Sequence, residues 1–266
     1  MAGMMARLHC PATMEPCLLA LDTSTEVLAV GLHSAAGQIC RVEAGGALSS
    51  ARLIPLAQAV LAEAGLTWAQ LDAIAFGAGP GAFTGLRTAC AVAQGLGFGA
   101  GKPLIALDSL RIVAEDAAWQ RNEPDPPDTW HWVAMDARMD EVYAGAYRRS
   151  ANDAAWAVAA APALYTLAAL AARWADTPPQ RLAGNAAAVF GPRLPCTSAL
   201  RVDAVADRAG AMLRLARQAW ASGELLDPAD ALPLYLRDRV ALTTAQRDEA
   251  REQARVLTAP APEATP

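Results

Sequence analysis

The stretch Gly77-Ala-Gly-Pro-Gly-Ala-Phe-Thr-Gly-Leu-Arg87 joins two segments of opposite pattern. Before it, residues 71–76 form a short apolar run of the kind a buried strand has. After it, residues 84–99 are small and apolar and read as a helix. Three glycines and a proline within residues 77–81 demand a tight strand-to-helix turn. Backbone that bare lets another group come close, either a phosphate or a second stretch of backbone. Which of the two it is decides the class of function.

Upstream, residues 17–22, 27–33 and 38–44 read as strands, with a hairpin turn at 35–37. The period then changes. Leu53, Leu56, Ala57, Val60, Leu61 and Ala64 fall on one face of a helix, with Ser49 or Ser50 as its cap and Gly65 at its end. Pro55 marks either its start or a bend. Downstream, residues 103–107 read as a strand and 109–121 as a helix capped by Asp108 or Ser109. Three strands, helix, strand, helix, strand, helix is the outline of a ribonuclease-H-like α/β lobe.

Residues 123–128, with three prolines among acids, break the pattern and read as a linker. It then partly restarts. Strands are expected at 130–136, 142–147 and 156–161, and a helix at 164–174. A short strand at 182–184, a long helix at 204–221 and an extended piece at 234–237 follow. The expected organisation is a loose extension 1–16, a first lobe 17–122, the linker 123–128, a second lobe 129–240, and a tail 241–266. Within that tail, residues 243–255 read as a charged helix and 258–266 as Ala/Pro-rich and disordered.

Composition removes several classes of function. With 54% hydrophobic and 18% charged residues, the chain is built to form a core. A net charge of −5 without a basic stripe argues against a protein whose main task is gripping nucleic acid. Five irregularly spaced cysteines without a C-x-x-C argue against a disulfide framework or a zinc site. Three scattered histidines leave no helical metal pair. The N-terminus lacks the apolar core of a signal peptide, and residues 86–100 are too short and polar to span a bilayer. A soluble cytoplasmic protein without a metal or membrane partner is the expectation.

Several segments carry a family resemblance. Leu18-Leu-Ala-Leu-Asp-Thr-Ser-Thr25 resembles the first phosphate-loop strand pair of the actin-like ATPase superfamily. Gly79-Pro-Gly-Ala-Phe-Thr-Gly-Leu-Arg87 closely resembles the G-P-G-S-F-T-G-[LV]-R signature of the TsaB family. Asp136-Ala-Arg-Met-Asp-Glu-Val-Tyr143 and Pro233-Leu-Tyr-Leu-Arg237 resemble two further segments of that family, in the same order. The resemblance implies two ribonuclease-H-like lobes with mixed sheets. It also implies the dimerisation subunit of the bacterial machinery that makes threonylcarbamoyladenosine at position 37 of tRNAs reading codons that start with A. The implied partners are a catalytic TsaD-like paralogue and a TsaE-like ATPase, with homodimers when the chain is alone and tRNA contacted only indirectly. The family signature has serine where this chain has Ala82, and many relatives have histidine where Ser49 aligns.

Two readings of the glycine-rich turn can be weighed from its residues. A phosphate loop would end in Gly-Lys-Ser/Thr, and a dinucleotide fingerprint would need glycine at Ala82. Thr88, Ala89, Ala91, Ala93, Gly95, Gly97 and Gly99 leave little side-chain bulk, which suits close approach by a second helix. The expected partner interface is therefore Arg52, Leu53, Leu56 and Val60 on the first helix; Gly79, Gly81, Phe83, Thr84, Gly85 and Arg87 around the turn; and Ala89, Ala93 and Gly95 beyond it. Asp22, Thr23 and Ser24 are candidates for nucleotide contact, with ATP or ADP at the partner seam, against a bonded strand-end turn. Asp136, Arg138 and Glu141 read as a charge-stabilised turn rather than an acid–base pair. Trp130 and Trp132 point to one face of their strand, the expected core of the second lobe, around a lone His131. No catalytic or metal-ligating set emerges. The rival readings are an actin-like small-molecule kinase or ATPase and, on ancestry alone, a metallopeptidase.

Overall fold

In the computed structural model, the described residues are 15–46, 48–121, 126, 129–150, 153–196 and 200–237. Residues 1–14 of the expected N-terminal extension, almost all of the linker 123–128 and the expected helix 243–255 lie outside them. The first sheet is built from β1 (Leu18–Asp22), β2 (Val27–Ser34), β3 (Gly37–Ala44), β4 (Ala73–Gly79) and β5 (Leu104–Asp108), in the order β3-β2-β1-β4-β5. β1 runs antiparallel to β2 and parallel to β4, and β4 is parallel to β5. Between them come α1 (Ser49–Glu63) and α2 (Phe83–Ala100), and α3 (Ser109–Arg121) follows β5. The second sheet, ordered β10-β9-β6-β7-β8, contains β6 (His131–Asp136), β7 (Glu141–Ser150), β8 (Asp153–Thr166), β9 (Arg181–Ala183) and β10 (Leu200–Val202). Helices α4 (Leu167–Asp176), α5 (Ala186–Phe190) and α6 (Arg208–Ser222) complete the described fold.

Strand alternation sorts the core into three layers. Leu19 and Leu21 of β1 face Leu53, Val60 and Ala93 of α1 and α2. Leu18 and Ala20, on the opposite face, join a central layer with Ile112 of α3, Leu213 of α6, and Val133 and Tyr147 of the second sheet. Trp132 and Ala134 point the other way and pack with Leu170 and Trp174 of α4 and Phe190 of α5. Both sheets thus share one central layer, and residues through Leu236 form one compact unit.

Several expectations shift. β4 runs on to Gly79, into the glycine-rich turn itself. Neither serine caps α1: Leu48 is its N-cap, Ser49 is buried in the first turn, and Pro55 sits inside the helix. Asp108 does cap α3, with Oδ1 accepting from the backbone N–H of Leu110 at 2.9 Å. The helix expected from residue 164 starts at Leu167, because Thr166 caps it and β8 continues up to that residue. Helix α6 begins at Arg208 and packs against β1, β2, β3 and β5 of the first sheet, although sequence order places it in the second lobe. Gly31 of β2 has no side chain, and Leu213 of α6 takes the space, its Cγ 2.9 Å from where a Cβ would stand.

Candidate functional site

The glycines of the β4–α2 turn make room for the chain's own backbone. A Cβ on Gly81 would stand 2.6 Å from the carbonyl oxygen of Ser24, and one on Gly85 would collide with that of Thr23. The Ala82 N–H donates to the Ser24 carbonyl at 2.8 Å, and the Thr23 hydroxyl donates to the Gly85 carbonyl at 2.6 Å. The turn after β1 therefore fills the concave side of the glycine-rich turn, where a phosphate would have had to sit.

Asp22, at the end of β1, is fully buried and carries a salt bridge to the Nε of Arg208. Ser24 donates to the same carboxylate from its backbone N–H and its hydroxyl, both at 3.1 Å. The Arg208 Nη2 reaches the Ser24 Oγ at 2.9 Å, and the Ser109 hydroxyl lies 3.5 Å from it. Asp22, Thr23 and Ser24 thus come together as expected, but every one of them is bonded inside the chain. This donor set does not suit a magnesium nucleotide, since a guanidinium already neutralises its one carboxylate. Among the described residues no cluster of three His, Cys, Asp or Glu side chains could hold a metal ion.

Other acids in the central layer are also committed internally. Glu115 of α3 accepts from Arg214 Nε at 2.7 Å, from Trp156 Nε1 at 2.8 Å and from Arg149. Asp108 accepts from the Tyr147 hydroxyl at 2.5 Å. Burial pushes the Asp108 carboxyl above its ordinary range, with the Tyr147 hydrogen bond acting against it, and pushes the Tyr147 hydroxyl far up as well. The Glu115 bonds join α3 to the second sheet and to α6, and the Asp108 bond joins the end of β5 to β7.

The Asp136–Glu141 segment is a turn held by its charges. Asp136 Oδ1 accepts from the Arg138 N–H at 2.8 Å, and the Arg138 guanidinium reaches Glu26 of the first lobe at 2.8 Å. Asp140 pairs with Arg193, which holds its carboxyl below the usual range. Arg138, Met139 and Asp140 all adopt positive φ, at 65°, 56° and 57°. Three consecutive left-handed residues without a glycine are costly, and the Asp136 carboxylate and the flanking ion pairs hold them there.

The expected interface residues separate into two groups. Thr84, Arg87 and Gly95 lie on the exposed face of α2, with Ala91 between them and Phe98 beyond. Arg52 is exposed on α1, where it pairs with Glu43, and Leu56 and Phe83 are half-buried. Leu53, Val60, Ala89 and Ala93, in contrast, are buried in the chain's own core. Gly79, Gly81 and Gly85 are closed against Leu234, Ser24 and Thr23. These seven side chains or bare positions are not available to a partner, because the helices spend their inner face on the first sheet. The small-residue stripe is thus two stripes, an inner one for packing and an outer one left open.

Sequence reasoning missed Arg208, Glu115 and Tyr147, which have no local signature. It also missed Tyr235, whose hydroxyl accepts from Arg87 Nε at 3.0 Å. The Pro233–Arg237 motif was the available signal for that residue.

Two mixed sheets with a shared central layer and helices outside define the class, a two-lobed α/β protein with a ribonuclease-H-like strand arrangement. The family model described as "TsaD: tRNA N6-adenosine threonylcarbamoyltransferase" matches residues 44–197. The TsaB protein of Haemophilus influenzae, named for tRNA threonylcarbamoyladenosine biosynthesis, is 41% identical over 126 residues, or 47% of this chain and 51% of that protein. Its Escherichia coli counterpart is 36% identical over 135 residues, or 51% of this chain and 56% of that protein. The chain thus spans about half the length of the curated relatives it matches. The structure of YeaZ from Pseudomonas aeruginosa superposes with a TM-score of 0.73 at 36% identity, covering 84% of this chain and all of that one. The chain belongs to the TsaB branch of this family. No helix among the described residues is long and apolar enough to cross a membrane.

Proposed function

We propose that this chain serves tRNA threonylcarbamoyladenosine synthesis as the non-catalytic partner of a TsaD-like transferase, with a TsaE-like ATPase joining the pair and tRNA contacted only through the others. The observation that carries this reading is the outer face of α2. Thr84, Arg87, Ala91, Gly95 and Phe98 recur at helical spacing and all are exposed. A Cβ at Gly95 or Gly99 would meet nothing within 4 Å, so a second helix has room to approach closely. Phe98 is 60% exposed, and Ile54 on neighbouring α1 adds apolar surface. The acids at the strand ends support the absence of chemistry within this chain. Asp22, Asp108 and Asp136 are each tied to an internal partner. Alone, two copies would pair through the same face.

The test mixes the purified chain with the TsaD-like subunit of its own organism. Co-elution as a stoichiometric complex, with tRNA threonylcarbamoylation only when both are present, is the expected result. Separate elution, with full modification by the transferase alone, would overturn the proposal.

A further inference from the structure

Arg87 is the only charged residue among the eighteen of α2. Two aromatic side chains engage its guanidinium. The Cζ lies 3.8 Å from the centroid of the Phe83 ring, one helical turn earlier. Its Nε donates to the hydroxyl of Tyr235 at 3.0 Å. The Phe83 and Tyr235 rings themselves meet at 5.1 Å.

Tyr235 arrives on residues 226–236, which run back along α2. That strap is pinned repeatedly. Leu226 exchanges backbone bonds with Leu104 at 2.8 and 2.9 Å, and Gln94 of α2 donates to the carbonyls of Pro228 and Ala231, both at 3.1 Å. The Leu234 N–H donates to the Ala78 carbonyl at 2.7 Å. A fixed strap thus delivers a fixed hydroxyl to an exposed arginine.

Among the described residues no carboxylate pairs with Arg87. Its two terminal nitrogens keep the parallel N–H fork that matches a carboxylate or phosphate bidentately. Ring stacking and the Tyr235 bond settle the side chain before any partner arrives, which reduces the ordering cost of binding. Beside it on the open face of α2 lie Thr84, Ala91 and Gly95, with the partly exposed Leu234 and Tyr235 of the strap. An arginine anchored among aromatic side chains in such a setting has the composition of an interface hot spot. One cation on α2 of a chain of net charge −5 does not suit an RNA backbone, which needs several.

We infer that Arg87 is the receptor for a carboxylate side chain of the partner subunit, on the element that lies along the open face of α2, with Phe83 and Tyr235 as positioning residues. This rests on the partner interface proposed above. The test is isothermal titration of the full-length chain against the TsaD-like subunit, at low and high salt, with Arg87→Gln, Arg87→Lys, Tyr235→Phe and Ala91→Trp. Each variant is first checked for an unchanged melting temperature. Arg87→Gln and Arg87→Lys should each weaken binding about tenfold or more, since lysine lacks the fork. Arg87→Gln should also flatten the salt dependence, and Tyr235→Phe should cost about threefold through lost positioning. Wild-type affinity in both Arg87 variants, with Ala91→Trp impaired, overturns the inference and leaves the interface standing. Wild-type affinity in all four removes the interface as well. Loss of tRNA retention by the complex with subunit affinity intact would assign Arg87 to phosphate and also overturn the inference.

Discussion

Arg208, the first residue of α6, donates from Nε to the carboxylate of Asp22 at the end of β1, although 186 residues separate them. Both side chains are buried, at 2% and 0% exposure. Breaking such a pair leaves one charge uncompensated in the core, and the usual cost is about 3–5 kcal/mol. Arg208→Met and Asp22→Ala should each destabilise the chain by about that much in urea unfolding. The double variant should recover part of the loss, because no lone charge then remains. Additive losses would show that the two residues act separately.

Gly85 and Gly95 lie on one helix and should respond oppositely to the same substitution. A methyl group at Gly85 strikes the Thr23 carbonyl, whose hydroxyl also binds the Gly85 backbone. Gly85→Ala should destabilise by about 1–3 kcal/mol through overpacking. At Gly95 a Cβ meets open space, so Gly95→Ala should stabilise by up to about 1 kcal/mol through helix propensity. Thermal or urea unfolding of the two variants distinguishes a glycine kept for packing from one kept for an open surface.

The Asp108–Tyr147 pair gives a pH dependence of definite sign. Burial raises the Asp108 carboxyl above its ordinary value of 3.8, so the folded chain takes up that proton more readily than the unfolded one. Stability linked to that proton is complete below 3.8 and is lost as the pH rises through the folded value. The Tyr147 hydroxyl offsets this loss by bonding the ionised carboxylate. Tyr147→Phe should therefore cost more at neutral pH, where a charged acceptor loses its donor, than in mild acid. Urea unfolding at both pH values checks this. An equal penalty would contradict the assignment of the hydroxyl as donor to Asp108.

The first lobe was largely legible because its elements are long and strongly patterned. Leu18 to Leu21 alternate between two core layers, and residues 109–121 form α3 with the expected bounds. The family segments were legible as short contiguous motifs. What was not legible depends on distance in sequence. Nothing local marks Leu213 as the residue that fills the space above Gly31, so α6 was placed in the second lobe by chain order. The short elements α5 and β10, of five and three residues, have too little pattern to be read. The glycines of the signature were legible as demanding close approach, but not as demanding it from Thr23 and Ser24. Bare helix positions look alike in sequence whether they face a sheet or solvent. Ala89 and Ala93 could therefore not be told from Ala91 and Gly95 until the helix was seen against β4.

The division of α2 into an inner face for its own sheet and an outer face for another subunit is open to direct measurement. Gly95→Leu adds bulk where the structure has open space and should leave the melting temperature unchanged or raised. Titrated against the TsaD-like subunit, it should bind about tenfold more weakly or worse, since the added side chain holds the two helices apart. Wild-type affinity in a folded Gly95→Leu chain would contradict the division and place the partner elsewhere.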